Sequence, residues 1–380
     1  MLNRLKGILY ELTGKIAVFG SRGKPTKKIL IVKTDEIGDY MLWRGFLQEL
    51  IGADRFRDYE VHFCGNSSWK SLFETFDKEK VTQSIWLEKI RFKKDLAYRY
   101  QFLKTIFANR YEIVINPIYS RDKRNDDAIV KAARAKHRIG MVANPESVRS
   151  YELGYDKYLY TELFDCPDKP LFEFIRNRLF TEFITGKKSL VENTQVDSAR
   201  LPALQEGLPK DYFVVFPGSR SKSRIWPAES FSEVAGYLFK QFGWTAILCG
   251  GKDDTQYASA FEAVYSSPVI NITGKTGLPA LLSILKNANC LLSVDTGSVH
   301  LAAAVGCTVF GIFNGSQYGR FAPYPESIAP DFHPVYPKEI ETELSNQEIV
   351  KQKYEFVISI PYDSVKPDNV IEKIKTHFNL

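Results

Sequence analysis

The stretch Cys290-Leu-Leu-Ser-Val-Asp-Thr-Gly-Ser-Val-His-Leu-Ala-Ala-Ala-Val-Gly-Cys-Thr-Val-Phe-Gly-Ile-Phe313 reads as strand, tight turn, short helix and strand. An apolar run ends at Asp295, Thr296 and Gly297 make the turn, Val299–Val305 suits a helix and Gly306 stops it. Thr308–Phe313 is again β-branched and aromatic, which suits a strand. A turn in this position lies at the carboxyl end of a parallel strand, where open α/β sheets bind ligands. A helix starting there offers unpaired N–H groups and a positive dipole end, which suits a phosphate. Asp295, Thr296, Gly297 and His300 would face such a ligand. A capped core helix accounts for the same residues, because Asp and Thr are ordinary caps and a lone His is usually structural.

From Lys28 onward, strand-like and helix-like segments alternate. Ile29–Lys33, Val61–Cys64 and Tyr111–Ile115 read as strands, while Asp39–Ile51, Trp69–Phe76, Asp95–Ala108 and Asp126–Ala135 read as helices. Lys187–Lys210 is polar and bounded by Gly186 and Pro209, after which the alternation restarts. Tyr212–Phe216 and Thr245–Leu248 are strands; Pro227–Phe242, Leu278–Ala288 and the closing Val370–Phe378 are helices. The class is therefore α/β, with two Rossmann-like domains facing a central cleft. The expected boundaries are a basic amphipathic helix and linker at 1–27, a first domain at 28–190, a linker at 191–210, a second domain at 211–365, and a final helix at 366–380 that can pack back on the first domain.

A chain of 380 residues, 44% hydrophobic and 25% charged, has globular composition, and no apolar run approaches the ~20 residues that span a bilayer. Cys64, Cys166, Cys249, Cys290 and Cys307 show no Cys-x-x-Cys pairing and read as reduced core residues of a cytosolic protein. The net charge is uneven. Residues 1–190 hold 35 Lys and Arg against 25 Asp and Glu, a balance of +10, whereas residues 191–380 hold 16 against 20, a balance of −4. The first half should meet an anionic partner: nucleic acid, an anionic lipid surface or a phosphorylated substrate. Residues 1–19 space Leu2, Leu5, Ile8, Leu9, Leu12 and Ile16 for one helical face among Arg4, Lys6 and Lys15, with Arg22, Lys24, Lys27 and Lys28 following. That pattern fits a helix on a membrane surface, the preferred reading, with a helix packed on its own domain as the alternative.

Two further loops carry chemistry. Lys33-Thr-Asp-Glu-Ile-Gly-Asp39 crowds three carboxylates at the end of the first strand. Asp39 can cap the helix that follows, or act as a general base with its pKa adjusted by Asp35, Glu36 and Lys33. Phe216-Pro-Gly-Ser-Arg-Ser-Lys-Ser-Arg-Ile-Trp-Pro227 combines small residues with Arg220, Lys222 and Arg224, a cradle suited to a diphosphate. No Gly-x-Gly-x-x-Gly follows the first strand, and Gly274-Lys275-Thr276 lacks the upstream glycine of a Walker loop. There is no Gly-x-Ser-x-Gly, His-x-x-x-His or Asp-x-Asp, so neither a serine hydrolase, a cofactor nor a catalytic metal is expected.

Taken together, Lys33-Thr34 with Ile37-Gly38-Asp39, Phe216-Pro-Gly-Ser with Arg224-Ile-Trp-Pro, and Ser293-Val-Asp-Thr-Gly-Ser-Val-His-Leu-Ala-Ala-Ala304 resemble the landmarks of glycosyltransferase family 9, the ADP-heptose:lipopolysaccharide heptosyltransferases. The resemblance covers roughly Lys28–Pro323 and the last helix. It implies a GT-B fold, with acceptor binding in the amino-terminal domain and nucleotide-sugar binding in the carboxyl-terminal one. It also implies inverting transfer without a metal or cofactor. By position, Asp39 becomes the base, and Glu36 could share or replace it because Asp35-Glu36 stands where small polar residues are common. Lys33 and Gly38 fall to the acceptor. Ser219, Arg220 and Arg224 fall to the diphosphate. Asp295, Thr296, Gly297 and His300 fall to the donor sugar and phosphates, with Asp254 and Thr276 near the nucleoside.

The expected reaction moves a sugar, heptose from ADP-heptose, onto an anionic glycolipid of lipopolysaccharide-core type. The protein would be cytoplasmic, peripheral to the inner membrane and without a nucleic-acid partner. Another nucleotide-sugar donor, in capsule or O-antigen synthesis, keeps the same fold. A non-catalytic binder of nucleic acid is the rival class; Arg91-Phe-Lys-Lys94 and Tyr98-Arg-Tyr100 offer its interleaved cations and aromatics.

Overall fold

The computed structural model describes residues 2–20, 23–143, 155–166 and 170–380; Arg22 lies outside them, as do the side chains of residues 2–6. The chain forms two compact units. One holds the described residues up to Cys166 with Ile175–Val191, and the other holds Pro170–Phe174 with Glu192–Leu380. The first is thus not one contiguous segment. Within the second unit, Glu173 pairs with Arg320 at 2.9 Å, both buried, and Phe172 packs edge-on against Tyr324.

Each unit is built on a six-stranded parallel sheet. In the first, β1 (Thr26–Lys33), β2 (Glu60–Asn66), β3 (Gln83–Leu87), β4 (Tyr111–Asn116), β5 (His137–Met141) and β6 (Glu162–Phe164) lie in the order 3-2-1-4-5-6. In the second, β7 (Tyr212–Phe216), β8 (Thr245–Leu248), β9 (Val269–Asn271), β10 (Leu291–Val294), β11 (Val309–Ile312) and β12 (Phe332–Val335) lie in the order 12-11-10-7-8-9. The first order is that of a Rossmann sheet, and the second has the corresponding reversal beside its first strand. Central strands are apolar on both faces, as parallel sheets covered by helices require: Ile29–Val32 and Leu291–Leu292 are all buried. All five cysteines are buried free thiols.

The expected Asp39–Ile51 helix is broken. The chain makes a short helix at Ile37–Met41, a tight turn at Arg44–Phe46 and a second short helix at Leu47–Ile51. Two local causes are visible. Gly45 is a weak helix former, and a Cβ there would come within 2.9 Å of Val191. The Leu42 carbonyl is also taken by the Asn177 amide at 3.2 Å.

The 191–210 segment is not a free tether, since the Val196 N–H donates to the Ala304 carbonyl and the Ser283 hydroxyl to that of Pro202. The closing helix (Pro367–Phe378), expected to return to the first domain, belongs to the second unit. Its Val370 and Ile374 enter that unit's core, and Trp226 Nε1 holds the preceding Val365 carbonyl at 2.8 Å.

The Ile37–Met41 helix is fixed by a buried clamp. Asp77, fully buried, accepts both Nε and Nη2 of Arg44 at 3.0 Å, Lys80 Nζ at 2.6 Å and the Tyr40 hydroxyl. Tyr40 also stacks on Trp69 with centroids 4.2 Å apart. Asp77→Asn would leave the Arg44 guanidinium uncompensated inside the protein. The expected cost is about 3–5 kcal/mol, read from urea unfolding of the variant against the parent.

Candidate functional site

In the first unit the polar groups gather where β1 ends. Lys33 is fully buried, with Nζ 2.5 Å from Asp35 Oδ2 and 5.7 Å above the Trp43 ring. Expected to touch the acceptor, Lys33 instead has its charge turned onto Asp35. Burial pushes the Asp35 carboxyl up to about 7; Lys33 opposes the shift and Asp39 adds to it. The Asp35 carbonyl is held by Asn66 Nδ2 and Trp69 Nε1, each at 3.0 Å, so this turn is rigidly placed.

Asp39 is the third residue of its helix, and its Oδ2 accepts the Glu36 N–H at 3.4 Å. That bond is part of a capping box with Glu36, and Asp39 is partly exposed at the helix start. Gly38 beside it is buried. The Glu36 carboxylate pairs with Lys89 Nζ at 2.8 Å.

Two groups outside the motif, Asp126 and Lys89, join this cluster. Asp126 is buried, receives the Thr34 hydroxyl and the Asp122 N–H, and has its carboxyl pushed up by burial. Burial works against the charge on Lys89, but Glu36, Asp126 and Asp35 outweigh it and hold the ammonium above the usual lysine range. Asp126 and Lys89 are far from Asp39 in sequence, so no local pattern marks them.

In the second unit the loop after β7 and the turn after β10 meet. Arg224 Nη1 lies 3.1 Å from Asp295 Oδ2 and donates to the Asp295 carbonyl at 3.3 Å. Burial raises the Asp295 carboxyl and Arg224 opposes it. Thr296 caps the Gly297–Ala304 helix by accepting the Ser298 N–H, and Ser298 is shared with the Ser293 hydroxyl at 2.8 Å. His300, one turn on, is buried, with Nδ1 2.8 Å from the Tyr324 hydroxyl. Burial, aided by Arg224, lowers His300 to about 4, so it is neutral at physiological pH.

Asp254 comes to the same strand ends. Its Oδ2 accepts the Gly251 N–H at 2.8 Å, and a Cβ on Gly218 would sit 2.2 Å from its Oδ1. The glycine of Pro-Gly-Ser is thus required by close approach of a carboxylate. Burial raises the Asp254 carboxyl. Gly274, at φ +73, ties its loop to the Gly250 carbonyl, bringing half-buried Thr276 to this side. Ser219 accepts the Ser221 N–H, and Arg220 is exposed. Sequence reasoning missed Tyr336 and Tyr362, whose hydroxyls are raised by burial and by the nearby Asp295 charge.

One group has the composition of a metal site. The ligand atoms of Asp331, His333 and His377 lie within 4.8 Å of one another, a grouping invisible as a motif because His377 comes from the last helix. The basic-aromatic stretch near residue 91 does not form a nucleic-acid face as read: Phe92 and Arg99 are buried, with the guanidinium 4.2 Å above the Phe92 ring.

The family described as glycosyltransferase family 9 (heptosyltransferase) matches residues 99–331 of the chain. Lipopolysaccharide heptosyltransferase 3 of Escherichia coli K12 is 26% identical over 235 residues, which span 60% of this chain and 65% of that protein, somewhat under two thirds of its length. Among solved structures, a family 9 glycosyltransferase from Veillonella parvula aligns with a TM-score of 0.67 at 18% identity, covering 92% of this chain and 96% of that one. The E. coli heptosyltransferase WaaC with ADP-2-deoxy-2-fluoro heptose aligns with a TM-score of 0.63 at 18% identity, covering 92% and 99%. These likenesses place the fold in the GT-B class.

The neutral state of His300 has a measurable consequence. Its folded pKa lies below the ordinary 6.5, so the folded chain binds fewer protons than the unfolded one, and the associated stability, full above 6.5, is lost as pH falls toward 4. Between pH 7 and pH 5 a His300→Gln variant should lose about 2 kcal/mol less than the parent. Urea midpoints at the two pH values check this.

Proposed function

Since the chain belongs to glycosyltransferase family 9, we propose that it is an inverting, metal-independent heptosyltransferase that moves heptose from ADP-heptose to a lipopolysaccharide-core acceptor. The observation that carries the reading is Arg224 set against Asp295 at the start of the Gly297–Ala304 helix. A partly exposed guanidinium beside the positive dipole end of a helix is a ready partner for a diphosphate. When the anomeric bond to the diphosphate breaks, the departing negative charge falls on these donors, which supply the stabilisation a divalent metal gives elsewhere. Ser219 and Arg220 complete the diphosphate contacts; Asp254 and Thr276 approach the nucleoside; Asp295, Thr296, Gly297 and His300 meet the sugar and phosphates.

In the first unit, Asp39 takes the proton from the acceptor hydroxyl as that oxygen attacks the anomeric carbon from the face opposite the leaving group. Asp39 sits on the first turn of the helix with a partly exposed side chain; Glu36, which pairs with Lys89, is the alternative base. Gly38 keeps the backbone next to the base slim, and Lys33 acts on the acceptor side only through Asp35. The acceptor is an anionic membrane glycolipid, so the protein works peripherally at the cytoplasmic face of the inner membrane. No described helix is long and apolar enough to cross a bilayer.

Asp39→Asn keeps a side-chain oxygen that can accept the Glu36 N–H but removes the proton acceptor, so kcat should fall by about 10²–10⁴ with ADP affinity nearly unchanged. Steady-state kinetics with calorimetry decide. Near-normal turnover, with the loss appearing in Glu36→Gln instead, moves the base to Glu36. Arg224→Ala should weaken ADP binding by about 1.5–3 kcal/mol; unchanged calorimetric affinity places it outside the donor site. Transfer in excess EDTA should equal transfer with Mg²⁺, and a loss that Mg²⁺ restores removes the metal-independent mechanism.

A further inference from the structure

The N-terminal helix (Leu2–Ala17) is held on the Leu96–Ala108 helix by one face only. Tyr10 lies under the Arg99 guanidinium at 4.7 Å and donates to the Lys93 carbonyl, Gly14 faces Leu103, and Ala17 is buried in the first unit's core. The opposite face stays uncovered. Ile8, Leu12 and Ile16 follow at helical spacing and are 56%, 51% and 54% exposed, and Phe19, just past the helix end, is 89% exposed. Beside this stripe, between the two helices, opens a groove of about 710 Å³. Ile16, Phe19 and Phe107 give it apolar walls, while Lys15, Lys104 and Arg110 give it three cations; among the described residues lining it, none is acidic.

We propose that this groove and stripe form a docking site for an anionic phospholipid at the bilayer surface, with the lipid phosphate on Lys15, Lys104 and Arg110 and its first methylenes against Ile16, Phe19 and Phe107. The reading deepens the peripheral membrane association proposed above and rests on it. Charge complementarity selects the occupant. An uncovered apolar stripe alone would suit any greasy surface, but a wall of three cations with no acid beside it demands a partner that brings phosphate and hydrocarbon together. A helix lying in the interface meets both, its apolar face at acyl depth and its cations at headgroup level.

The test is flotation of the full chain with phosphatidylcholine vesicles, with and without phosphatidylglycerol at about one third of the lipid. The parent should bind the anionic vesicles selectively. Lys104→Ala combined with Arg110→Ala should weaken that binding roughly 25-fold, about fivefold per cation lost. Phe19→Ser, at a side chain that bears little on folding, should weaken it about tenfold. Equal binding by the parent and both variants overturns the proposal, as does equal binding of neutral and anionic vesicles by the parent. So does a concentration-dependent dimer, abolished by Phe19→Ser, without vesicle binding, which would give the face to a second copy of the chain. ADP titration and transfer to a delipidated acceptor are run alongside. Their failure with vesicle selectivity intact removes the transferase reading and leaves the docking site; their success without vesicle selectivity does the reverse.

Discussion

An ammonium with no access to water has to be answered within a few ångströms, and the end of β1 is arranged around that demand. Lys33 is fully buried, and Asp35 answers it at 2.5 Å. A charge removed from water costs several kcal/mol unless it is paired. The Asp35 turn is fastened by Asn66 and Trp69 through its carbonyl, and the neighbouring Thr34 by Asp126. The helix that follows is locked in turn through Tyr40 onto Asp77. Asp39 inherits its position from these contacts. The buried pair and the clamp are less a source of net stability than a means of giving one carboxylate a single place.

The second unit handles charge differently. It assembles one guanidinium, a helix start and backbone N–H groups around Asp295, with neutral hydroxyls from Ser293, Thr296 and Ser298 in close order. On the proposed transferase reading, its preorganised donors suit an incoming diphosphate. His300 follows the same logic. Burial keeps the imidazole uncharged, so it offers a hydrogen bond of fixed geometry rather than a second cation.

The alternation of segments made the α/β class legible, and the Cys290–Phe313 stretch folds as read: strand Leu291–Val294, helix Gly297–Ala304, strand Val309–Ile312. The strands missed were β3, β5, β6, β9 and β12: all but β5 are sheet edges, β6 and β9 are three residues long, and β3, β5 and β12 carry Gln83, Arg138 and Pro334. Edge strands bury less, so they write less periodicity into the sequence. The site divides along the same line. Arg224 and Asp295 were named from their motifs and are in contact. Lys89 and Asp126 were not, since each enters from a helix remote in sequence and only the fold brings them together. Gly218 shows the reverse case: its conspicuous place in Pro-Gly-Ser is explained by a carboxylate 36 positions later pressing on the backbone.

Part of the first half's positive charge lies inside the protein, where buried acids balance it. Lys33, Arg44, Arg99, Arg121 and Arg176 are all buried, and Arg121 is spent on Asp127 and Asp156 inside the unit. Arg99 lies between the Tyr10 and Phe92 rings as an internal fastener of the N-terminal helix. These cations neither steer an anionic partner nor bind it, because screened long-range attraction is set by charge that solvent can see. What decides the partner is the smaller set left outside and what lies next to it. Around the N-terminal helix that set is Lys15, Lys104 and Arg110, and beside them lie the exposed Ile16 and Phe19.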